Sequence, residues 1–150
     1  MPLVFAAPGS WDLVFADEFD TFNTSNWTPT NSSITSQYVG HDARFIPEMV
    51  SVSGGNLVIT TALRPSVLDG VAYNMTSGYI DSQNKQQFDT NVPLRFEASM
   101  KMPNRYALNA WPAFWLLPAN TCWPVSGEVD IIEWYGGDDG HFQHSKPGNP

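Results

Sequence analysis

Gly127-Glu128-Val129-Asp130-Ile131-Ile132-Glu133-Trp134 is the stretch whose reading decides the fold. Up to Asp130, polar and apolar residues alternate strictly, as on a β-strand, with Glu128 and Asp130 on one side and Val129 on the other. The adjacent Ile131 and Ile132 break that alternation. Glu133, five residues after Glu128, falls on the opposite face of a regular strand, which would put Ile131 among the carboxylates and Glu133 in the core. An unpaired buried carboxylate is costly, so the favoured reading is a β-bulge that absorbs one residue and restores the phase. Three acids then line one surface of the strand.

The rest of the chain has the same period. No stretch longer than a turn or two carries the 3.6-residue apolar repeat of a helix, whereas short alternating segments recur between turn signals. Trp11-Asp12-Leu13-Val14-Phe15 opens the pattern, and residues 20–36 read as a polar loop. Glu48 to Ser53 and Asn56 to Thr61 flank Gly54-Gly55, a turn pair that tolerates positive φ and predicts a hairpin. Tyr73 to Ser82, Leu94 to Met102, Pro112 to Leu117 and Glu128 to Tyr135 predict further strands, and residues 140–150 begin another and stop in a turn. With no repeat, low-complexity tract or linker, the chain reads as one all-β unit behind residues 1–10, an arm or signal-peptide remnant without a positive n-region.

Composition narrows the function. The chain has 150 residues, 7 Lys plus Arg against 15 Asp plus Glu, and a formal net charge of −8, which argues against a phosphate-binding or nucleic-acid-binding role. No apolar run approaches the ~20 residues that span a bilayer. A lone cysteine, Cys122, excludes an internal disulfide framework and a thiol zinc site within these residues. The 9 Phe, 6 Trp and 5 Tyr suggest a ligand with flat faces to stack on. Four Asn-x-Ser/Thr sequons, at Asn23, Asn26, Asn31 and Asn74, fit a secreted glycoprotein.

Three acids in a row need an explanation, because like charges repel and no Lys or Arg lies between Tyr106 and Lys146 to balance them. Calcium is one candidate, but its ligands usually come from a loop that wraps the ion, and a single strand cannot wrap. Acid/base chemistry is the other. One carboxylate ionised as a nucleophile and another kept protonated by its neighbour's charge is the pair that glycoside hydrolysis needs.

The motif Glu-x-Asp-x-x-Glu, preceded by Asn109-Ala110-Trp111-Pro112-Ala113-Phe114-Trp115-Leu116-Leu117-Pro118 and by Leu94-Arg95-Phe96-Glu97-Ala98, resembles glycoside hydrolase family 16. Its bulged form is similar to the laminarinase (endo-β-1,3-glucanase) branch; lichenases and xyloglucan transglycosylases have a motif one residue shorter. Asp17-Glu18-Phe19-Asp20, Asn56-Leu57-Val58-Ile59-Thr60 and Thr76-Ser77-Gly78-Tyr79-Ile80 extend the likeness through most of the chain. The resemblance implies a concanavalin A-like β-sandwich jelly roll, with a sugar cleft on its concave face. Glu128 would be the nucleophile, Glu133 the general acid and then base, and Asp130 the partner that holds Glu128. Trp111, Trp115 and Trp123 would contact glucosyl rings, and Arg95 would hydrogen-bond substrate near the nucleophile. The implied protein is a secreted monomer acting on β-glucan polysaccharide, with no required cofactor and a structural calcium ion in the complete domain. Glu18 lies where such a calcium site begins but is left unassigned.

Each assignment has a plainer reading. Trp111, Phe114 and Trp115 could be core, although alternation puts the two tryptophans on one face. Arg95 could pair with Glu97. His141 and His144 have no third metal ligand nearby in sequence. Asn104-Arg105-Tyr106-Ala107-Leu108-Asn109 replaces the family's Gly-rich approach, and Tyr79 stands where laminarinases commonly have Arg, so the glucan linkage, β-1,3 or mixed β-1,3/1,4, is open. Family catalytic domains continue for roughly another hundred residues, so residues 11–150 read as the N-terminal part of one, incomplete at its C-terminus. A non-catalytic β-glucan-binding module or inactive fragment, and a β-glucan transglycosylase, are the alternatives.

Overall fold

The structure, a computed structural model, describes residues 3–7, 10–34, 43–104, 107, 110–119, 125–135 and 141–143. In chain order the strands are β1 (Leu3–Ala7), β2 (Ser10–Phe15), β3 (Thr28–Pro29), β4 (Ser32–Ile34), β5 (Ala43–Phe45), β6 (Val50–Val52), β7 (Leu57–Ile59), β8 (Thr61–Ala62), β9 (Ser66–Leu68), β10 (Val71–Tyr73), β11 (Thr76–Ser77), β12 (Ile80–Asp81), β13 (Leu94–Arg95), β14 (Ala113–Leu116), β15 (Val129–Tyr135) and β16 (His141–Gln143). Among the described residues a single 3₁₀ turn, Pro47–Met49, is the only helical element, in keeping with the all-β reading. The chain divides into two compact units, residues 1–100 and 101–150, at a point where the sequence shows no linker.

In the first unit, β1 is paired antiparallel on both sides, to β2 and to β13. Residues 3–7, within the segment read as an arm or leader remnant, therefore lie in a sheet. A second sheet has the order β4-β5-β11-β8, with β5 and β11 parallel and the outer pairs antiparallel. β12 pairs with β3. The polar loop expected over residues 20–36 is thus partly strand: β3 and β4 are too short for alternation to reveal, and they form because longer-range partners take up their backbone groups. The expected strand from Leu94 to Met102 shrinks to the two residues of β13.

The Gly54-Gly55 hairpin forms as predicted. Val50 pairs with Ile59 and Val52 with Leu57, and both glycines have positive φ, +57° and +69°, as a twist-matched two-residue turn requires. A second hairpin, β9–β10, turns at Asp69-Gly70, whose φ angles are +51° and +80°. The first hairpin lies close against Gly78. A β-carbon there would stand 2.7 Å from the carbonyl oxygen of Met49 and 2.8 Å from Cγ2 of Val50, so only glycine permits the approach. The Gly78 N–H donates to Thr60 O across the same contact.

Among the described residues of this unit, Ile46, Met49, Tyr73 and Thr76 are the buried side chains. Tyr73 satisfies its hydroxyl by donating to Ser33 Oγ at 2.9 Å. A run of edge-on aromatics adds to the packing: Phe96 on Phe88, Phe88 on Phe15, and Phe15 on Trp27, with ring centroids 5.7, 6.0 and 5.9 Å apart. Much of the aromatic content therefore packs the protein against itself.

Asp17 organises the segment that follows β2. Its carboxylate accepts from the backbone N–H of Phe19 at 3.0 Å, from Asn26 Nδ2 at 3.0 Å and from Trp27 Nε1 at 2.9 Å. The first of these holds Phe19 in a left-handed conformation, φ +54°. Burial alone would raise the pKa of Asp17; the hydrogen bonds from Asn26, Phe19 and Trp27 outweigh it and hold the carboxyl below the ordinary aspartate value. Asn26, one of the four sequon asparagines, also accepts from Gln86 Nε2 and so has both ends of its amide engaged in the fold.

Candidate active site

The second unit contains the acid strand in a three-stranded antiparallel sheet of order β14-β15-β16. Between β14 and β15, Ala113 stands opposite Glu133 and Phe114 opposite Ile132, but Trp115 stands opposite Asp130 and Leu116 opposite Val129. The register shifts between Phe114 and Trp115, and Ile131 is the residue left without a partner across the ladder. This is the bulge expected from the broken alternation, at the expected place.

Its consequence follows from cross-strand pairing, which puts opposed residues on one face. Asp130 shares a face with Trp115 and Glu133 shares one with Ala113. Ala113 and Trp115 are two apart on a regular strand, so both acids lie on the same side. Val129, Ile132 and Trp134 take the other side, where Trp134 is 1% exposed. The Trp134 N–H donates to Pro112 O, fixing the strand beyond the bulge. Glu128 precedes the first strand residue and is exposed. Extending the alternation back from Asp130 puts it on the acid face. Gly127, just before it, has φ +81°, a conformation an L-residue adopts only with strain. Gly127 thus sets the direction in which Glu128 enters the strand.

Trp111 reaches the same face. Its indole Nε1 donates to Glu133 Oε1 at 2.8 Å. Both side chains are half-buried, as are Trp115 and Asp130. Asp130, Glu133 and Trp115 thus belong to one sheet, with Glu128 and Trp111 flanking its strands in the same unit.

Arg95, in the first unit, is ion-paired with Glu97, the plainer of its two readings, and its guanidinium carbon lies 5.9 Å from the ring centroid of Trp11. It is about half exposed, at 51%. Trp123 and Cys122 fall outside the described residues, as does His144. His141 is placed by its backbone in β16, opposite Tyr135. Glu18 is exposed, and among the described residues no three His, Cys, Asp or Glu side chains gather as a metal-holding set. No helix among the described residues is long and apolar enough to cross a membrane.

Sequence reasoning missed two contributors. Gly127 was visible only as the residue before the motif, and its positive φ is a property of the folded turn. The bond between Trp111 and Glu133 depends on a separation of 22 residues closed by the β14–β15 pairing, which no local pattern encodes.

No family model matches the chain. Over 152 residues it is 44% identical to a glucan endo-1,3-beta-glucosidase of Cryptopygus antarcticus, covering 90% of this chain and 52% of that protein. Over 48 residues it is 50% identical to a beta-1,3-glucan-binding protein of Penaeus monodon, covering 30% of this chain and 13% of that one. Among solved structures, the catalytic domain of an endo-1,3-beta-glucanase (laminarinase) from Thermotoga petrophila RKU-1 is similar, with a TM-score of 0.67 at 23% identity over 94% of this chain and 65% of that chain. That likeness shows the fold, a β-sandwich jelly roll, as expected. The chain spans about half the length, or less, of the curated relatives it matches. In sequence and in fold the chain is thus similar to laminarinase-like β-glucanases, as its resemblance to glycoside hydrolase family 16 implies.

Proposed function

We propose that the protein is a secreted endo-glycosidase that hydrolyses β-1,3-linked, or mixed β-1,3/1,4-linked, glucan with retention of configuration. The observation that carries this reading is the bulge at Ile131, which turns Asp130 and Glu133 to one face of β15 although their spacing alone would separate them. A strand that spends a bulge on aligning carboxylates is hard to explain as a solvated surface, and bulges are frequent beside active sites.

The reaction follows from the roles of the acids. Glu128 attacks the anomeric carbon as a carboxylate, the bond from that carbon to the glycosidic oxygen breaks, and Glu133 gives its proton to the leaving oxygen. Glu133, now ionised, takes a proton from water, whose oxygen attacks the same carbon and releases Glu128. Two inversions return the original configuration. Asp130, between the two glutamates in sequence, holds Glu128. Retention needs the glutamate carboxyl groups about 5–5.5 Å apart, and the bulge shortens the path between them in the required sense. Trp115, beside Asp130, supplies a flat apolar surface for a sugar ring. Secretion is supported by the sequons, of which Asn23, Asn31 and Asn74 are exposed.

Replacing Glu128 by Gln tests the reading: hydrolysis of laminarin, a β-1,3-glucan, is expected to vanish while binding of laminari-oligosaccharides persists. Undiminished turnover would remove Glu128 as nucleophile. A second reading, glucan binding without hydrolysis, is favoured by the likeness to the Penaeus monodon protein. It predicts that the unsubstituted protein binds laminarin and releases no reducing sugar.

A further inference from the structure

The hydrogen bond between Trp111 and Glu133 has a direction that matters for proton transfer. An indole N–H donates and cannot accept, so the oxygen it reaches, Oε1 of Glu133 at 2.8 Å, acts as the acceptor. In a protonated carboxyl the carbonyl oxygen is the better acceptor and the other oxygen carries the hydrogen. Holding Oε1 therefore assigns the proton to Oε2, and it also fixes the rotation of the carboxyl plane, which is otherwise broad for a glutamate. The bond is anchored at both ends: Glu133 sits within β15, opposite Ala113, and Trp111 stands just before β14, held by the Trp134 N–H bond to Pro112 O.

We propose that Trp111 is a positioning residue for Glu133, orienting its carboxyl so that Oε2 faces the glycosidic oxygen with the transferable proton. This rests on the reading of Glu133 as general acid, and it gives Trp111 a task other than stacking on sugar. The transfer balances simply: the proton on Oε2 passes to the glycosidic oxygen as its bond to the anomeric carbon breaks, and Glu133 is left as a carboxylate whose Oε1 still accepts from the indole.

Orientation of an acid matters only when the leaving group needs a proton. The test compares kcat/KM, which reports the first displacement, on laminarin and on a dinitrophenyl β-laminaribioside whose leaving group departs without protonation. Trp111→Phe keeps an apolar ring and removes the donor. It is expected to lower kcat/KM on laminarin by about 10- to 100-fold, part of the 10²–10⁴ typical of general acid catalysis, and to lower it far less on the aryl glycoside. Trp111→His restores a ring N–H and is expected to recover part of the laminarin rate, while thermal melts of both variants establish that they fold. Equal losses on the two substrates, a loss confined to KM, or a Trp111→His variant no better than Trp111→Phe would overturn the proposal. Glu133→Gln separates the two layers: it is expected to show the same leaving-group dependence in larger degree. If it does while Trp111→Phe does not, the acid stands and the positioning role falls; if Glu133→Gln shows none, both fall.

Discussion

Glu133 stands directly opposite Ala113 across the β14–β15 pair, on the face that Asp130 shares with Trp115, although the two acids are three positions apart. A regular strand would place residues at that separation on opposite faces. The bulge at Ile131 resolves the conflict, and it does so without disturbing Trp134, which stays buried on the far side.

Deleting Ile131 tests whether the bulge serves alignment. With one residue fewer, Glu128, Asp130 and the following glutamate alternate strictly, so all three acids remain on one face of a regular strand and Trp134 remains on the other. The deletion variant is expected to fold and to retain measurable laminarin hydrolysis, read by reducing-sugar release and a cooperative melt. A folded variant with no hydrolysis would show that the bulge supplies something beyond the side each acid faces.

Gly127→Ala addresses how Glu128 enters the strand. A left-handed conformation costs an L-residue roughly 1–2 kcal/mol, and the chain can relieve that only by re-aiming Glu128. The expected outcome is a modest fall in melting temperature with a larger loss of kcat than of oligosaccharide affinity. Unchanged kcat would mean that the turn does not position the nucleophile.

Asp17→Asn probes the other ordered cluster. The native carboxyl is held below its ordinary pKa, so its contribution to stability is fully present above the unfolded value and is lost as pH falls through the lower folded value. The variant is expected to lose about 1–3 kcal/mol near neutrality, because amide donors face a weaker acceptor, and to show a flatter decline of stability on acidification. Denaturant melts at several pH values measure both.

Gly78→Ala is expected to destabilise by about 1–3 kcal/mol, since the added methyl meets the Met49 carbonyl and Val50 within a packed contact. A denaturant melt with an unchanged midpoint would mean that the hairpin moves aside freely.

The sequence carried more of the acid strand than of its surroundings. The bulge was legible because the alternative buried a carboxylate, an energy large enough to decide between two registers. The β6–β7 hairpin was legible through Gly54-Gly55. The β9–β10 hairpin carried an equally plain signal, Asp69-Gly70, but Pro65 stands directly before its first strand and cuts the alternating run short. β3 and β4 gave no local sign, because their pairing is set by distant partners. Trp27 illustrates why aromatic content misleads: its N–H is bonded to Asp17 and its ring packs on Phe15 and Phe19. The Arg95 ion pair was legible too, since Glu97 stands two residues away on the same face of the expected strand.

The central claim, that Glu128 and Glu133 act as nucleophile and acid/base on one strand face, is tested most directly by the anomer first formed. Proton NMR of laminari-oligosaccharide cleavage, followed from the first turnovers before mutarotation, is predicted to show the β-anomer. Initial appearance of the α-anomer would contradict the account.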